Sequence, residues 1–368
     1  MTARPERNDE DYMRMALRLA RRGQGMTSPN PMVGAVIVKD NRIIGRGYHH
    51  RFGEKHAEIN AIESAREDIA GSTLYVNLEP CCHQGKTPPC VDAVIQHNIS
   101  RVVIGMFDPN PQVNGKSVEI LQQHGIETTV GVLEEASRSL NEAHTKYSTT
   151  GLPLVTVKLA QTVDGRIATS TGNSQWISSA ESLNLAHQLR AASDAVMVGS
   201  GTILADDPRL TVRLVRGRNP TRIVLDSRLR TPLTAKVLTE QDIAPTVIAT
   251  TTRASEKKVA RLRDMGIEIS VIKEDRRGEI DAVQLLRTLG QRGIASVLVE
   301  GGSRVVTSLL RLKLVDRLVI IIAPSILGRG IEAVGELDIR DINQAIRLSF
   351  TRTYRMGTDL IIEARTEY

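Results

Sequence analysis

The first 150 residues alternate between helical and extended hydrophobic patterns. Residues 13–20 carry an apolar stripe at helical spacing, and residues 32–38 and 43–48 read as two strands joined by a tight turn at Asp40-Asn41. Strands and helices continue to alternate up to about residue 145, which predicts a layered α/β/α domain with functional groups at the carboxyl ends of its strands. Further strands are predicted at residues 74–78 and 101–106.

A second α/β pattern begins at residue 154. Its strands end in small or polar turns, and no internal repeat relates it to the first half. The pattern therefore predicts a second, different α/β domain. The strands are predicted at residues 154–160, 195–198, 222–225, 297–300 and 318–323, with helices at 182–192 and from Ser303 through Leu310.

The best candidate for a domain boundary is the segment STTGLP at residues 148–153, which changes from polar to turn-forming. The chain has 368 residues, and about 100–200 residues is typical of one domain. We therefore predict a mobile tail at residues 1–10, a first domain at residues 11–150 and a second at residues 151–368.

The strongest chemical signal is a set of metal-binding residue types. His56 and Glu58 stand two positions apart, Cys81 follows a proline, and Cys90 comes later. A catalytic zinc takes three protein ligands and leaves its fourth tetrahedral position to water. His56, Cys81 and Cys90 supply the three ligands. Glu58 then remains to carry protons for the water, whose pKa the metal lowers to about 7. This order of residues is typical of hydrolytic deaminases that act on an amino-substituted ring.

Two predicted helix starts would bring these ligands together. Positions i and i+2 point to nearly opposite sides in mid-helix, so His56 and Glu58 face one metal only where a helix begins. Ile62 is followed by apolar residues three and seven positions later, which is the spacing of an amphipathic helix over residues 62–69. Pro88-Pro89 directly precedes Cys90, and proline suits a first helical turn. We expect Cys90 at a helix N-terminus, where the helix dipole lowers the pKa of a thiol.

The spacing of the cysteines leaves alternatives open. Eight residues separate Cys81 from Cys90, whereas the general deaminase pattern has about two. Cys82 competes with Cys81 as the ligand, although Cys81 alone follows Pro80 directly. A structural zinc would need a fourth protein ligand, for which His83 is close enough in sequence. Ordinary core packing of histidine and cysteine is the remaining alternative.

Composition and charge narrow the range of partners. The net charge is +6, but lysine and arginine are spread along the chain and aromatic residues make up only 3%. That composition disfavours a base-stacking platform, so we expect no nucleic-acid partner, and a basic balance also suits phosphorylated ligands. Three cysteines, a charged N-terminus and short apolar runs predict no membrane association and a cytoplasmic location.

Two strands of the second half end in glycine-rich turns, GSGT at residues 199–202 and GGS at 301–303. Glycine lets the backbone approach a phosphate, and a helix N-terminus offers free N–H groups. Neither turn matches the Rossmann fingerprint or a P-loop. Nearby Arg190 and Arg213 suit phosphate binding. These residues indicate a nucleotide-binding α/β domain, and ordinary strand–helix turns are the alternative.

Family-specific motifs occur along both halves. In the first half they are PNPMVG at 29–34, HAE at 56–58, LEPC at 78–81, GKTPPC at 85–90 and DPNP at 108–111. In the second half they are Lys158, DGR at 164–166, QWI at 175–177, GT at 201–202, ADDP at 205–208 and EGG at 300–302. Over essentially its full length the chain thus resembles the bifunctional deaminase–reductases of riboflavin biosynthesis. This family has the long cysteine spacing and usually serine in place of Cys82, which supports Cys81 as the ligand.

The resemblance implies a fold class and two reactions. The fold is α/β, with an N-terminal three-layer α/β/α domain like zinc cytidine deaminases and a C-terminal domain like dihydrofolate reductase. The first domain would remove the 2-amino group of 2,5-diamino-6-ribosylamino-4(3H)-pyrimidinone 5′-phosphate as ammonia. The second would use NADPH to reduce the ribosyl group, giving 5-amino-6-ribitylamino-uracil 5′-phosphate. A homo-oligomer is also implied.

The resemblance also places individual residues. His56, Cys81 and Cys90 would hold Zn²⁺, and Glu58 would move protons from the water to the ring nitrogen and the leaving amine. Around the deaminase substrate it places Asn30, His49, Lys86, Thr87 and Asn110. Around NADP it places Ala160, Trp176, Thr202, Asp206, Ser227, Gly302, Ser303, Arg304, Val305, Val306, Thr307 and Ser308. Around the reductase substrate it places Lys158, Ser174, Arg190, Leu210, Arg213 and Glu300. From residue type, Ser227 with Arg228 would recognise the 2′-phosphate.

Two other functions fit parts of the pattern. One is a zinc deaminase of another base or nucleoside with an inactive second domain, which reductase activity of the second half would exclude. The other is a nucleic-acid-binding protein with structural zinc, which predicts a fourth protein ligand and salt-dependent RNA affinity.

Overall fold

The structure is a computed structural model that describes residues 7–85, 88–111 and 113–368. The chain separates into two compact units, which we call unit 1 and unit 2, and the division lies between Gly151 and Leu152. The residues STT at 148–150, which we expected in a polar linker, are the last turn of a helix that ends at Gly151 in the left-handed conformation, φ 70°.

Unit 1 is built on a five-stranded sheet with the order β2-β1-β3-β4-β5, in which β1 is antiparallel to β2 and β3 and the other pairs are parallel. Its strands are β1 (Gly34–Lys39), β2 (Arg42–Tyr48), β3 (Thr73–Val76), β4 (Arg101–Ile104) and β5 (Glu127–Val130). Its helices are α1 (Asp9–Ala20), α2 (Ala57–Ser64), α3 (Cys90–Gln96), α4 (Lys116–Gln123), α5 (Glu134–Leu140) and α6 (Glu142–Thr150), with a 3₁₀ turn at Arg21–Gly23.

Strand β1 shows why unit 1 has three layers. Ala35 and Ile37 lie in a core cluster with Ala61 of α2. Val36, on the opposite face, lies in a separate cluster with Met13 of α1. Because successive side chains of a strand point to opposite faces, an apolar strand of this kind needs a helix on each side.

Unit 2 is built on a nine-stranded sheet with the order β11-β10-β9-β8-β12-β6-β13-β16-β15, and a separate pair, β14-β7. Its strands are β6 (Leu154–Thr162), β7 (Arg166–Thr169), β8 (Ala195–Gly199), β9 (Thr221–Leu225), β10 (Thr246–Thr250), β11 (Glu268–Val271), β12 (Ser296–Val299), β13 (Arg317–Ala323), β14 (Gly330–Glu332), β15 (Arg347–Met356) and β16 (Asp359–Glu367). Its helices are α7 (Ala180–Ala192), α8 (Ser200–Asp206), α9 (Lys236–Thr239), α10 (Glu256–Asp264), α11 (Ala282–Gln291) and α12 (Ser303–Arg311), with a 3₁₀ turn at Ile342–Gln344.

The strands from β11 to β13 in this sheet order are all parallel, whereas β16 and β15 close the sheet as an antiparallel hairpin. Met197 of β8 lies in one core cluster, and its neighbours Val196 and Val198 lie in another. The parallel strands are therefore covered on both faces, and their carboxyl ends meet at one edge, where α/β proteins bind ligands.

Other sequence-based expectations also differ from the structure. Helix α1 begins at Asp9 because Asn8 forms a reciprocal capping box with Asp11, so the predicted tail extends too far, and residues 1–6 lie outside the described part. Helix α2 ends at Ser64. Ile69 is buried, but it lies in the segment after the helix and not in a continuation of the helix. In unit 2, the strands β7, β10, β11 and β14 and the β15–β16 hairpin were not predicted.

No helix in the described ranges is long and apolar enough to cross a lipid bilayer.

Candidate functional site

Three short structural elements of unit 1 bring the predicted metal ligands together. His56 is the N-cap residue of α2, and Cys90 is the first residue of α3. Cys81 lies in the segment that follows β3. Helix α2 can pack closely on β2 because of Gly47, where a Cβ atom would lie 2.3 Å from the carbonyl oxygen of Ala57. The predicted pair of helix starts is therefore present, at Ala57 and Cys90.

The three side chains have the spacing of a zinc site. Nδ1 of His56 lies 3.5 Å from Sγ of Cys81 and 3.3 Å from Sγ of Cys90, and all three ligand atoms lie within 4.8 Å of one another. Bonds of about 2.0–2.1 Å to nitrogen and about 2.3 Å to sulfur in a tetrahedral site place these atoms about 3.5 Å apart. The residues present therefore fit a zinc ion.

The alternative ligands are not part of this group. Among the described residues, the His, Cys and carboxylate side chains with metal-ligand spacing are His56, Cys81 and Cys90, without Cys82 or His83. Cys82 instead packs partly against the core cluster of unit 1. Three protein ligands leave the fourth tetrahedral position for a water molecule or substrate, as in a catalytic site.

Cys81 is prepared to bind a cation as a thiolate. The hydrogen bond from the Cys90 thiol lowers the pKa of Cys81, and His56 adds to this effect. The same contact, together with burial, raises the pKa of Cys90, so the lowered pKa expected for Cys90 from its place at a helix start is wrong. The backbone N–H of Cys90 also donates a hydrogen bond to Sγ of Cys81, 3.3 Å away. A thiolate is the form of cysteine that binds a metal.

Glu58 is buried beside the ligands, with 3% of its surface exposed. Burial raises the pKa of this carboxyl to about 7. Its Oε2 atom is buried and makes no hydrogen bond within the described structure. This oxygen is available to a molecule bound next to it, as proton transfer by Glu58 requires.

A buried carboxylate holds the Cys81 segment against the following loop. Oε2 of Glu79 accepts hydrogen bonds from the backbone N–H groups of Asp108 and Gly115, at 3.1 and 3.0 Å, and Oε1 accepts one from Ser117 at 3.1 Å. Glu79 therefore fixes the DPNP loop relative to the ligand Cys81. This role of Glu79 was not predicted, although the residue belongs to the LEPC motif.

Two of the residues predicted around the deaminase substrate contact each other. Nδ2 of Asn30 lies 3.2 Å from Nε2 of His49, and Nδ1 of His49 lies 3.1 Å from the carbonyl oxygen of Lys55. The His49 and His56 rings meet edge to face at 5.3 Å, so this pair borders the metal ligands. Burial lowers the pKa of His49, which favours the neutral ring. Lys86 and Thr87 lie outside the described residues.

Asn110 lies in the loop that Glu79 holds. Its backbone N–H donates a hydrogen bond to Oδ1 of Asp108 at 2.9 Å. Nε2 of His144 lies 3.5 Å from the same oxygen, and Nδ1 of His144 lies 3.3 Å from the carbonyl oxygen of Pro29. The loops of Asn30 and Asn110 are thus joined through one histidine of α6.

Unit 2 contains a cavity of about 1410 Å³ along the carboxyl ends of β8, β9 and β12. Most of the residues predicted around NADP and the reductase substrate line it. They are Lys158, Ala160, Ser174, Trp176, Arg190, Thr202, Asp206, Leu210, Arg213, Ser227, Glu300, Gly302, Ser303, Arg304, Val305 and Ser308. A volume of this size holds a dinucleotide together with a second small molecule.

Two predicted NADP residues do not line the cavity. Val306 is fully buried in the core of unit 2, and Oγ1 of Thr307 donates a hydrogen bond to the carbonyl oxygen of Ser303 at 2.6 Å. Oγ1 of Thr307 also accepts a hydrogen bond from the N–H of Gly335 at 2.8 Å. Both residues lie on the inner side of α12.

The charged centre of this cavity is an arginine–glutamate pair. Nε and Nη2 of Arg190 donate hydrogen bonds to the two carboxylate oxygens of Glu300, at 2.5 and 2.8 Å. Burial would raise the pKa of Glu300, but Arg190 and then Lys158 offset this, so the pKa is lowered. Burial lowers the pKa of Lys158, which Glu300 partly offsets. The site thus combines a fixed anion with cations that suit a phosphorylated or polyhydroxylated ligand.

His187 also lines the cavity, and this role was not predicted from the sequence. Its Nδ1 accepts a hydrogen bond from the backbone N–H of Arg213 at 2.9 Å, and burial lowers its pKa to about 4. The available signal was its position three residues before Arg190, on the same face of α7. As a neutral ring it holds the Arg213 segment at the edge of the cavity.

Comparison with known proteins matches each unit to a family. Residues 6–106 match the cytidine and deoxycytidylate deaminase zinc-binding region. Residues 153–362 match the RibD C-terminal domain. The two matches are separate and fall within unit 1 and unit 2.

Similar proteins cover almost the whole chain. The riboflavin biosynthesis protein RibD of Aquifex aeolicus is 45% identical over 355 residues, which is 96% of this chain and 97% of the relative. The protein of that name from Escherichia coli is 39% identical over 368 residues, covering 96% of this chain and 98% of the relative.

Solved structures agree with this match. The diaminohydroxyphosphoribosylaminopyrimidine deaminase/5-amino-6-(5-phosphoribosylamino)uracil reductase of Thermotoga maritima has a TM-score of 0.87 at 39% identity, covering 98% of this chain and 99% of that one. RibD of Acinetobacter baumannii has a TM-score of 0.88 at 35% identity with the same coverage.

Proposed function

The chain belongs to the RibD family of bifunctional riboflavin-biosynthesis enzymes, and we propose that its two units act in succession on one phosphorylated pyrimidine. It combines a zinc-dependent deaminase domain with an NADPH-dependent reductase domain. The proposed substrate is 2,5-diamino-6-ribosylamino-4(3H)-pyrimidinone 5′-phosphate, and the product is 5-amino-6-ribitylamino-uracil 5′-phosphate. The observation that carries the first step is the group His56, Cys81 and Cys90 with the buried carboxyl of Glu58 beside it.

In the deaminase step, His56, Cys81 and Cys90 would hold zinc. Zinc bound there would supply a Lewis acid that lowers the pKa of a water molecule to about 7. Glu58 would accept one proton from the attacking water, whose oxygen would add to the ring carbon that carries the 2-amino group, and would pass that proton to the ring nitrogen. Glu58 would then take the second proton from the added hydroxyl and give it to the amine as the carbon–nitrogen bond breaks, so that ammonia departs. A pKa near neutrality lets one carboxyl act in both directions.

The substrate of this step is proposed to bind between the two loops that His144 joins. Asn30 and Asn110 would donate hydrogen bonds to the ring and the sugar, and His49 would hold the Asn30 amide through the contact already described. Lys86 and Thr87 complete the proposed set from their place in the GKTPPC motif, since both lie outside the described residues.

In the reductase step, the cavity of unit 2 would hold NADPH, which would supply a hydride to the carbon that was anomeric in the ribosyl group. The bond from that carbon to the ring oxygen would break, and the oxygen would take up a proton. We assign proton delivery to Lys158, because it lines the cavity together with Arg190 and Glu300. Burial lowers the pKa of its ammonium group, which makes it a better acid. Arg190 and Arg213 bind the phosphorylated sugar, and Glu300 fixes the Arg190 guanidinium.

NADP is proposed to bind along the carboxyl ends of β8, β9 and β12. The turn Gly302–Ser303 at the start of α12 suits a phosphate, since the helix offers free N–H groups there. Ser227 and Arg228 both line the cavity after β9 and are proposed to recognise the 2′-phosphate. This placement supports NADPH over NADH.

A homo-oligomer in the cytoplasm is part of the proposal. The outermost strand β15 leaves Phe350 65% exposed, and an exposed aromatic side chain on an edge strand suits contact with a second copy of the chain. Cys81, Cys82 and Cys90 are free cysteines, which supports a reducing compartment such as the cytoplasm. Light scattering of the purified protein, compared with a Phe350→Ser variant, tests the assembly.

A coupled assay tests the order of the two reactions. The purified protein receives the diamino pyrimidine phosphate with and without NADPH, and ammonia and NADPH are followed together. We expect ammonia release in both cases, and NADPH oxidation only after ammonia appears. NADPH oxidation on the diamino compound without prior ammonia release would contradict the order. No ammonia at all would contradict the deaminase assignment.

A further inference from the structure

One buried carboxylate of the β15–β16 hairpin holds the start of helix α7. Asp359, the first residue of β16, is 1% exposed. Its Oδ2 atom accepts hydrogen bonds from the backbone N–H and the hydroxyl of Ser179, both at 2.8 Å. The same atom accepts one from the hydroxyl of Ser182 at 2.6 Å. A single oxygen therefore fixes the N-cap residue of α7 and its first turn.

The chemistry of this contact makes it strong. Hydrogen bonds to an ionised carboxylate are shorter and roughly twice as strong as those between neutral groups. A negative charge at a helix N-terminus also interacts favourably with the helix dipole. The approach is close, because a Cβ atom on Gly357 would lie 3.0 Å from Oγ of Ser179 and 2.7 Å from Oε2 of Glu181.

Apolar contacts hold the same two elements together. Leu185 of α7 lies in one buried cluster with Val319 and Ile321 of β13 and Ile361 of β16. Ile361 is two residues from Asp359, on the same strand. The helix start is thus fixed to the hairpin by polar contacts at Asp359 and by packing one turn further along.

Both ends of this anchored segment reach the reductase cavity. Trp176 lies three residues before Ser179 and lines the cavity. Arg190 and His187 lie on α7 and line it as well. From Ser182 to Arg190 the helix rises about 12 Å. Because a helix moves as a rigid rod, a shift at its first turn would carry Arg190 away from its bidentate contact with Glu300.

We propose that Asp359 is a positioning residue for the reductase site, which sets the Trp176 loop and the α7 side chains from outside the cavity. Asp359 is not among the residues that line the cavity. The inference rests on the proposed reductase function. It assigns the edge hairpin, which carries no ligand contact of its own, a part in binding NADPH and the pyrimidine.

The variant Asp359→Asn tests this directly. It keeps the size of the side chain but removes the charge and turns one acceptor into a donor. We expect the reductase kcat/KM to fall about 10- to 100-fold, as for other small displacements of binding groups, with higher KM values for both NADPH and the deaminated pyrimidine. Trp176 is the single tryptophan of the chain, so its emission and its quenching by NADPH report the loop, and both should change.

Controls separate positioning from general damage. Glu367→Gln makes the same acid-to-amide change at the exposed end of β16 and should leave reductase kinetics and Trp176 emission unchanged. Ammonia release and zinc content report unit 1 in the same preparation. If the wild-type chain fails to oxidise NADPH with the pyrimidine, the proposed function fails, while altered Trp176 emission in Asp359→Asn still supports positioning.

A milder variant covers the case in which Asp359→Asn does not fold. Ser182→Ala removes one of the three hydrogen bonds and should change the reductase KM values and Trp176 emission in the same direction, by less. The proposal is overturned if the foldable variants lower Tm but leave kcat, both KM values and Trp176 emission at wild-type values at 25 °C. Asp359 would then stabilise unit 2 without positioning its site.

Discussion

The metal centre of unit 1 and the cavity of unit 2 differ in how much of the chain builds them. The ligands of the metal centre lie between His56 and Cys90 and meet within 4.8 Å. The residues lining the cavity extend from Lys158 to Ile331 and come from several strand ends. A metal requires a few side chains in fixed geometry, whereas a dinucleotide requires a long surface of backbone and side chains. The first site is therefore local and the second is a property of the whole fold.

The largest expected effect is that of a variant which lowers the deaminase activity and leaves the reductase activity unchanged. In Glu58→Gln the carboxyl can no longer take up and release a proton, so ammonia release should fall about 10²- to 10⁴-fold. Zinc content should stay at the wild-type value because Glu58 is not a ligand. NADPH oxidation with separately prepared deaminated pyrimidine, measured on the same sample, should be unchanged. Equal loss of both activities would show that the two sites are not independent.

A smaller effect is expected from Arg190→Lys in unit 2. Lysine keeps the charge but cannot form the paired hydrogen bonds to Glu300. Loss of such charged hydrogen bonds should lower the reductase kcat/KM about 10- to 100-fold. The deaminase rate should not change. Arg292→Lys, in the surface pair with Glu268, is the matched control and should behave as wild type. A fall in ammonia release in Arg190→Lys would contradict the separation.

The smallest effect concerns acid stability. Burial lowers the pKa of His187 to about 4, whereas an unfolded histidine titrates near about 6.5. Below about pH 6.5, His187 binds a proton in the unfolded chain but stays neutral in the folded protein. Its contribution to stability is thus fully present above about pH 6.5 and is lost as pH falls toward 4. In His187→Gln, the fall in Tm of unit 2 between pH 7 and pH 5 should be smaller than wild type by roughly 2–4 °C.

Calorimetry or near-ultraviolet dichroism at a series of pH values checks this, with reductase activity identifying the transition of unit 2. An identical pH dependence in wild type and variant would mean that His187 does not control the acid response. The variant His124→Gln is the control, since that histidine lies exposed at the end of α4.

Much of the structure of unit 1 can be predicted from local sequence patterns. The turn at Asp40 and Asn41 has φ values of 49° and 57°, the left-handed conformation that suits these residue types in a two-residue hairpin. His56 and Cys90 lie at helix starts, as the surrounding residues predicted. Ile69 shows the limit of periodicity, because an apolar residue can be buried from a loop as well as from a helix.

Unit 2 depends on features that a sequence pattern does not display. Strand β15 is an edge strand whose side chains are exposed on both faces, so it lacks the alternation that identifies a half-buried strand. The NADP segment 302–308 was expected to contact the cofactor throughout. It forms the start of α12, and a helix turns only one side to the cavity, so Val306 and Thr307 face the core.

The roles of two buried carboxylates, Glu79 and Asp359, were also not predicted from the sequence. Glu79 and Asp359 each accept three hydrogen bonds from partners that lie far away in the sequence. A lone acid in a sequence is most often a solvated surface residue. Only the fold shows that these two are buried and paired.

The most direct test is to remove zinc from the purified chain with a chelator and to measure metal content and both activities before and after zinc is restored. We predict one zinc per chain, loss of ammonia release on chelation, and recovery on addition of zinc. NADPH oxidation with the deaminated pyrimidine should continue at the wild-type rate throughout. Ammonia release at full rate from a chain that holds no metal would contradict the account, as would loss of zinc without any loss of deamination.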